Sequence, residues 1–205
     1  MRWDTKEFWS GFTLDLAFGA GGDRDGDTES EEASSNYYHG IAAHQQFKYD
    51  GGWVQLDIAY EMNYDTAQLN EDGNDTGEYW DNTTYLIGVQ GGHGAVGYFG
   101  QYRVAEAEST KAGVADQEET GYSVGMTYNF GADNKWQAKV AHAKLDDLEK
   151  GNMTADTGRE VWSTQLLYSI DTNAVVYARY RDIERSETDK DDSFNEASVG
   201  VEYWF

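Results

Sequence analysis

The 205-residue chain contains no cysteine and no proline. Without cysteine there is no disulfide framework and no thiolate metal site. The lack of free thiols suits an oxidising compartment, where unpaired thiols are a liability. Basic residues are scarce: 15 Lys and Arg stand against 38 Asp and Glu, a formal charge of -23. That balance excludes nucleic acid as a partner, because phosphate binding needs a basic footprint. No stretch approaches the roughly 20 apolar residues of a membrane-spanning helix. Nothing like a secretory leader precedes Trp3, so the reading expects a mature chain carrying a start Met.

What the chain has is aromatic residues, glycine and rhythm. There are 15 Tyr, 7 Trp, 8 Phe and 23 Gly. High charge with low hydropathy is the composition of disorder, but the aromatics argue against it, and so does the pattern. Apolar residues alternate strictly with polar or small ones, as in a strand. Val54, Leu56, Ile58, Tyr60, Met62 and Tyr64 form the clearest run. Tyr122, Val124, Met126, Tyr128 and Phe130 form another, and Trp162, Thr164, Leu166, Tyr168 and Ile170 a third. Ten strands are expected, near 8–19, 37–49, 53–64, 80–90, 95–105, 120–130, 135–145, 160–170, 174–183 and 195–205, with twelve as the alternative count. Segments 37–49 and 174–183 alternate less cleanly.

The connectors alternate too. Short ones at 50–52, 91–94, 131–134 and 171–173 carry the Gly, Asn and Asp of hairpin turns. Long polar ones, about 20–36, 65–79, 106–119, 146–159 and 184–194, fall strictly between them. This is an up-and-down meander with its long loops at one end. A soluble sandwich or lipocalin-like barrel would also alternate, with its apolar residues inside. A transmembrane barrel turns them toward lipid, uses an even number of strands and has short turns at one end and long loops at the other. Aromatics near strand ends, namely Trp53, Tyr64, Tyr79, Trp80, Tyr85, Trp136, Trp162 and Tyr203, suit interfacial girdles. The interleaved Gly, Ser, Thr, Gln, Asn and charged residues are poor material for a dry core. The expected fold is therefore all-β: a transmembrane antiparallel up-and-down barrel formed as one domain over residues 1–205. Residues 1–7 are expected to be a short periplasmic segment, and the last strand to close the barrel against 8–19.

Several stretches resemble the general diffusion porins of Gram-negative outer membranes. They are GYSVGMTYNFG followed by WQAKVAHAK, the early hairpins GIAAHQQFKYDGGWVQLDIAYEM and TTYLIGVQGGHGAVGYFGQYR, and the terminal LLYSIDTNAVVYARYRDIERSETDKDDSFNEASVGVEYWF. The resemblance implies an outer-membrane channel for passive diffusion, no cofactor and a homotrimer, with a monomer kept open. The family usually has sixteen strands, so ten would make this a shortened member or derivative. The alternating aromatic ending also resembles the insertion signal of outer-membrane barrels.

Charge is segregated along the chain. The five long connectors hold 25 of the 38 carboxylates and six bases, so about -19 lies at one rim. An acidic mouth concentrates cations and repels anions. On the inward phase of the strands the charged set is Asp15, Lys48, Asp57, Glu61, Arg103, Lys139, Arg179, Arg181 and Glu202. Asp57 and Glu61 would face Arg179 and Arg181 across the bore and set a transverse field. The expected partners are membrane lipid, small hydrophilic solutes and cations. Asp23, Asp25 and Asp27 in DRDGDTESEE, and the run NEDGND at 70–75, superficially resemble calcium loops, but the glycine is misplaced for an EF-hand. No metal site is assigned. Of the four histidines, His39, His44, His93 and His142, none has an evident Ser or Asp partner at the loop end, and no enzymatic activity is expected. An occluded structural or adhesive barrel is the alternative to a channel.

Overall fold

A computed structural model describes residues 2–20, 37–69, 75–187 and 190–204. Among them runs one antiparallel sheet. Its strands are β1 (Arg2–Asp4), β2 (Phe12–Ala20), β3 (Tyr37–Tyr49), β4 (Gly52–Leu69), β5 (Asp75–His93), β6 (Val96–Ser109), β7 (Gln117–Phe130), β8 (Trp136–Leu145), β9 (Leu148–Lys150), β10 (Met153–Ala155), β11 (Arg159–Ser169), β12 (Ala174–Glu187) and β13 (Lys190–Tyr203). Ten are long and correspond one to one with the expected ten. Neighbours in sequence are neighbours in the sheet, except that the small β9–β10 hairpin stands off β7 and lets β8 pair with β11.

The strands run further than alternation of apolar residues suggests. β4 to β7 extend into the expected loops 65–79 and 106–119. Their upper parts keep ladder hydrogen bonds while both faces turn polar, so the apolar signal fades before the strand does. The β4–β5 ladder slips register twice there. The first strand begins later than expected. Phe8 and Trp9 belong to a tight reversal closed by Phe12 N donating to Trp9 O at 2.9 Å, with Gly11 at φ 81. Trp9 stacks on Phe12 at 4.3 Å.

Within the segment 1–7, residues 2–4 form β1, paired with Asp15, Leu16 and Ala17. One expectation about the ends is corrected: the last strand does not close on the first. Among the described residues β13 pairs only with β12, and the sheet is open. On the outer edge of β2, β1 pairs with Asp15, Leu16 and Ala17, three of the nine residues of that strand. The aromatic position proposed for Phe205 lies outside the described residues.

One face of the sheet is apolar and exposed. Ile87 is 60% exposed, Val201 67% and Val199 82%. Among the described residues the buried hydrophobics are only Ala174 and Ile183. A water-soluble fold is held together by burying such side chains, each stabilising by about 1.5–3 kcal/mol. Here they form one continuous surface, of the kind that marks a membrane or protein partner.

The ladders also give the strand tilt. Leu56 of β4 connects through Val89, Gly100, Val124, His142 and Trp162 to Asp182 of β12, six strand steps away. On β4 the outward apolar run spans Val54 to Tyr64; on β12 it spans Ala174 to Tyr180. The midpoints, 59 and 177, are not ladder partners, because the partner of 59 would be 185. The apolar band thus slips by about eight residues, about 26 Å, across about 29 Å of sheet at ordinary strand rise and spacing. That is a tilt of about 40°, within the 35–45° of transmembrane barrel strands.

Close packing within the sheet uses glycine opposite rings. A Cβ on Gly125 would fall 2.5 Å from the Phe99 ring and 2.8 Å from the Val140 carbonyl. Gly125→Ala is expected to destabilise the fold by about 1–3 kcal/mol through overpacking, read as a lowered urea midpoint of detergent-folded protein. An unchanged midpoint would remove the constraint.

Candidate functional site

Period-two alternation puts successive side chains on opposite faces, and the ladders fix which residues share a face. Tyr60, Tyr85 and Val104 are ladder partners on the apolar face. One residue along, Ala59, Leu86 and Arg103 are partners on the other. Followed across the sheet, this second face carries Asp15, Lys48, Asp57, Glu61, Arg103, Lys139, Arg179, Arg181 and Glu202 together. All nine charged residues singled out from sequence therefore lie on the polar face.

The charges on that face form separate groups. On β2 to β4, His44 sits between two carboxylates. Its Nδ1 is 2.6 Å from Asp57 Oδ1 and its Nε2 is 3.3 Å from Asp15 Oδ2. Asp57 also accepts from Gln55 Nε2 at 2.7 Å and Gln90 Nε2 at 3.4 Å. Arg2 of β1 reaches Asp15 at 3.5 Å and Asp4 at 2.6 Å. Both ring nitrogens of His44 thus have a carboxylate neighbour. On β12 and β13, Glu196 takes Arg181 at 3.1 Å and Arg179 at 3.7 Å. One carboxylate thus serves two guanidiniums. Arg179 also lies over Tyr177 at 5.9 Å, and Lys139 over Phe99 at 5.1 Å. On β6 and β7, Arg103 donates to Glu119 at 2.8 Å.

Sequence reading did not single out His44, Glu119 and Glu196 as members of these groups. Glu196 shares the phase of Ser198 and Glu202, so parity alone would have placed it. Glu119 falls one residue outside the expected strand. His44 lies in the segment where Gln45 and Gln46 blur the alternation. Asp57 and Arg179 are six strand steps apart along the open sheet. Trp53 and Trp80, expected in an outward aromatic girdle, are on the polar face; Trp53 pairs with Lys48 and Gly92. Outward rings do cluster at the turn end, where Trp136 meets Tyr168 at 4.7 Å and Phe130 at 6.3 Å. Asp23, Asp25 and Asp27 lie outside the described residues. Among the described residues no group of three His, Asp or Glu is placed to hold a metal ion.

The loop end of the apolar face also turns polar. His142 Nε2 is 2.8 Å from Glu160 Oε1 and stacks on Trp162 at 4.3 Å. Just beyond, Asp146 accepts from Thr120 Oγ1 at 2.9 Å and pairs with Lys144 at 3.0 Å. The Lys144 hydrogen bond, followed by that of Thr120, holds the Asp146 carboxyl below its ordinary range. A lowered folded value contributes stability above the ordinary carboxylate range, lost as pH falls through the lowered value. Asp146 is half exposed, so the effect is small. Asp146→Asn is expected to flatten the acid limb of the urea midpoint against pH, and an unchanged limb would show that this pair does not contribute.

Comparison with known proteins agrees with this architecture. No family model matches the chain, and no curated protein matches it. Among solved structures, it is similar to an anion-selective porin from Comamonas acidovorans, with TM-score 0.64 and 12% identity, over 98% of this chain and 57% of that one. It is also similar to OmpT, an outer membrane protein of Vibrio cholerae folded in vitro, with TM-score 0.70 and 15% identity, over 100% of this chain and 63% of that one. The trimer form of the Vibrio protein gives TM-score 0.56 and 16% identity, over 94% of this chain and 64% of that one. The chain thus spans 57–64% of the length of these structures. At such identities the likeness concerns the fold, and that fold is the antiparallel sheet of bacterial outer-membrane β-barrel proteins.

Proposed function

We propose that this chain forms a porin-like channel of the bacterial outer membrane, passing small hydrophilic solutes and ions by diffusion. The observation that carries the reading is the inversion of the sheet: its apolar face is exposed, and the nine charged residues named above lie on the other. Lipid would cover the first face, and the second would line a water-filled bore once the edges of the sheet are closed. The channel needs no cofactor and performs no covalent step; selectivity comes from size and field. The nine polar-face charges would line the bore. The acidic cluster around Asp57 and Glu61 and the basic pair Arg179 and Arg181 would set a field across it, and the acidic loops would favour cations at the mouth. A homotrimer fits the general-porin resemblance.

Purified protein in planar bilayers is expected to give discrete conductance steps. No steps above background would overturn the channel and favour an occluded barrel. In a KCl gradient the reversal potential is expected to show cation preference, and clear anion preference would contradict the mouth argument. Replacing Arg179 and Arg181 with Gln should move that potential further toward cations. An unmoved potential would place both arginines outside the conduction path.

A further inference from the structure

The polar face holds a depression of about 320 Å³ near its loop end, between β6 and β11. The ladders account for its shape. Arg103, Gly121, Leu145 and Arg159 are ladder partners in one row, and Gln101, Ser123, Ala143 and Val161 in the next. Gly121 and Ser123 of β7 and Ala143 of β8 make a low floor, with the Leu145 side chain lying against Gly121. Longer ones on β6 and β11 make the walls, three strand steps or about 14 Å apart at ordinary spacing. Arg103 stands on one wall and Arg159 on the other. The volume is at the lower end for a ligand site, about 300–1,000 Å³.

One charge in this trough, that of Arg159, is not balanced by an ion pair among the described residues. Arg103 is held on one side by Glu119. Arg159 has no carboxylate within ion-pair distance among the described residues, and its ladder partner on β12 is another arginine, Arg185. Like charges directly opposite on one face destabilise a sheet. Arg185 lies over Phe194 at 5.0 Å, and its Nε has no hydrogen-bond partner among the described residues. Asp192, the next residue in the row, is a ladder partner of Arg185 but makes no ion pair with it. Two cross-strand guanidiniums, facing a third over a small-residue floor, are an arrangement that an oxyanion would relieve. Arginine is suited to the role because its planar fork matches carboxylate and phosphate.

We infer that this trough binds a small oxyanion, carboxylate or phosphate, between Arg103 and Arg159, with the Ser123 hydroxyl and the Gln101 amide as further donors. Arg185 adds charge from behind Arg159. Glu119, beside Arg103 on one wall, and Asp192, opposite Arg185 behind the other, are the opposing acids and keep the affinity modest. Leu145 and Val161 provide an apolar flank that would take the short chain of an organic acid. The site lies below a mouth that repels anions, so it would retain the few that enter. It does not depend on the bore being open.

The test is calorimetric titration of detergent-folded protein with inorganic phosphate and, separately, with acetate, at constant ionic strength in chloride. Saturable binding is expected at millimolar concentrations. Arg159→Gln and Arg103→Gln should each weaken it by about tenfold, the scale of one charge-assisted hydrogen bond. Lys135→Gln, in the turn at the other end of the sheet, should leave it unchanged. Phosphate binding without acetate binding would assign the site to phosphate, and the reverse to carboxylates. No saturable heat with either anion, or equal affinity in Arg159→Gln, would overturn the site. Because binding is read without current, a protein that binds but does not conduct keeps this site and loses the channel.

Discussion

The continuous antiparallel ladder governs everything else in this protein. Each strand is locked to its neighbours by backbone hydrogen bonds, and a one-residue slip would send every side chain to the opposite face. Once Leu56 is opposite Val89, the faces of Asp57 and Glu61 are settled, and so, strand by strand, are those of Arg103, Lys139 and Arg179. A helical protein distributes such decisions over many packing contacts. Here one register carries them across the sheet, and there is almost no buried core to supply a second source of order.

That economy has a physical price at both faces. The apolar face stabilises nothing in water, so its value depends on a surrounding of low polarity. The polar face must hold many charges in little space. It does so by close local contacts: Arg2 and His44 against Asp15, Glu196 between Arg179 and Arg181, Glu119 on Arg103. The acidic group on β1 to β4 and the basic group on β12 and β13 keep net charges of opposite sign, which preserves a field along the sheet. The exception to these contacts is the row through Arg159 and Arg185.

The sequence made the strands and their faces legible where alternation was clean, as in Val54 to Tyr64. It misled where an aromatic kept phase through a reversal: Phe8 and Trp9 read as strand but precede the bend at Gly11. It missed the upper strand extensions because a solvated strand has no apolar stripe to show. Which acid meets which base was not legible, since cross-strand pairs depend on register, and register is a property of two segments at once. The seam was the largest miss. Alternation says which way a side chain points but nothing about which edge a strand will join, and β1 was too short to declare itself.

The two borders of the sheet are chemically unlike. Along β2, a short strand carrying Arg2 and Asp4 blunts the border, a device by which natural sheets discourage unwanted pairing. Along β13 the outer border has no strand partner among the described residues, and Val199, Val201 and Tyr203 are exposed there. The two borders therefore offer different surfaces to a further strand: the backbone of β2 is already partly engaged at Asp15, Leu16 and Ala17, while among the described residues the outer backbone of β13 is not.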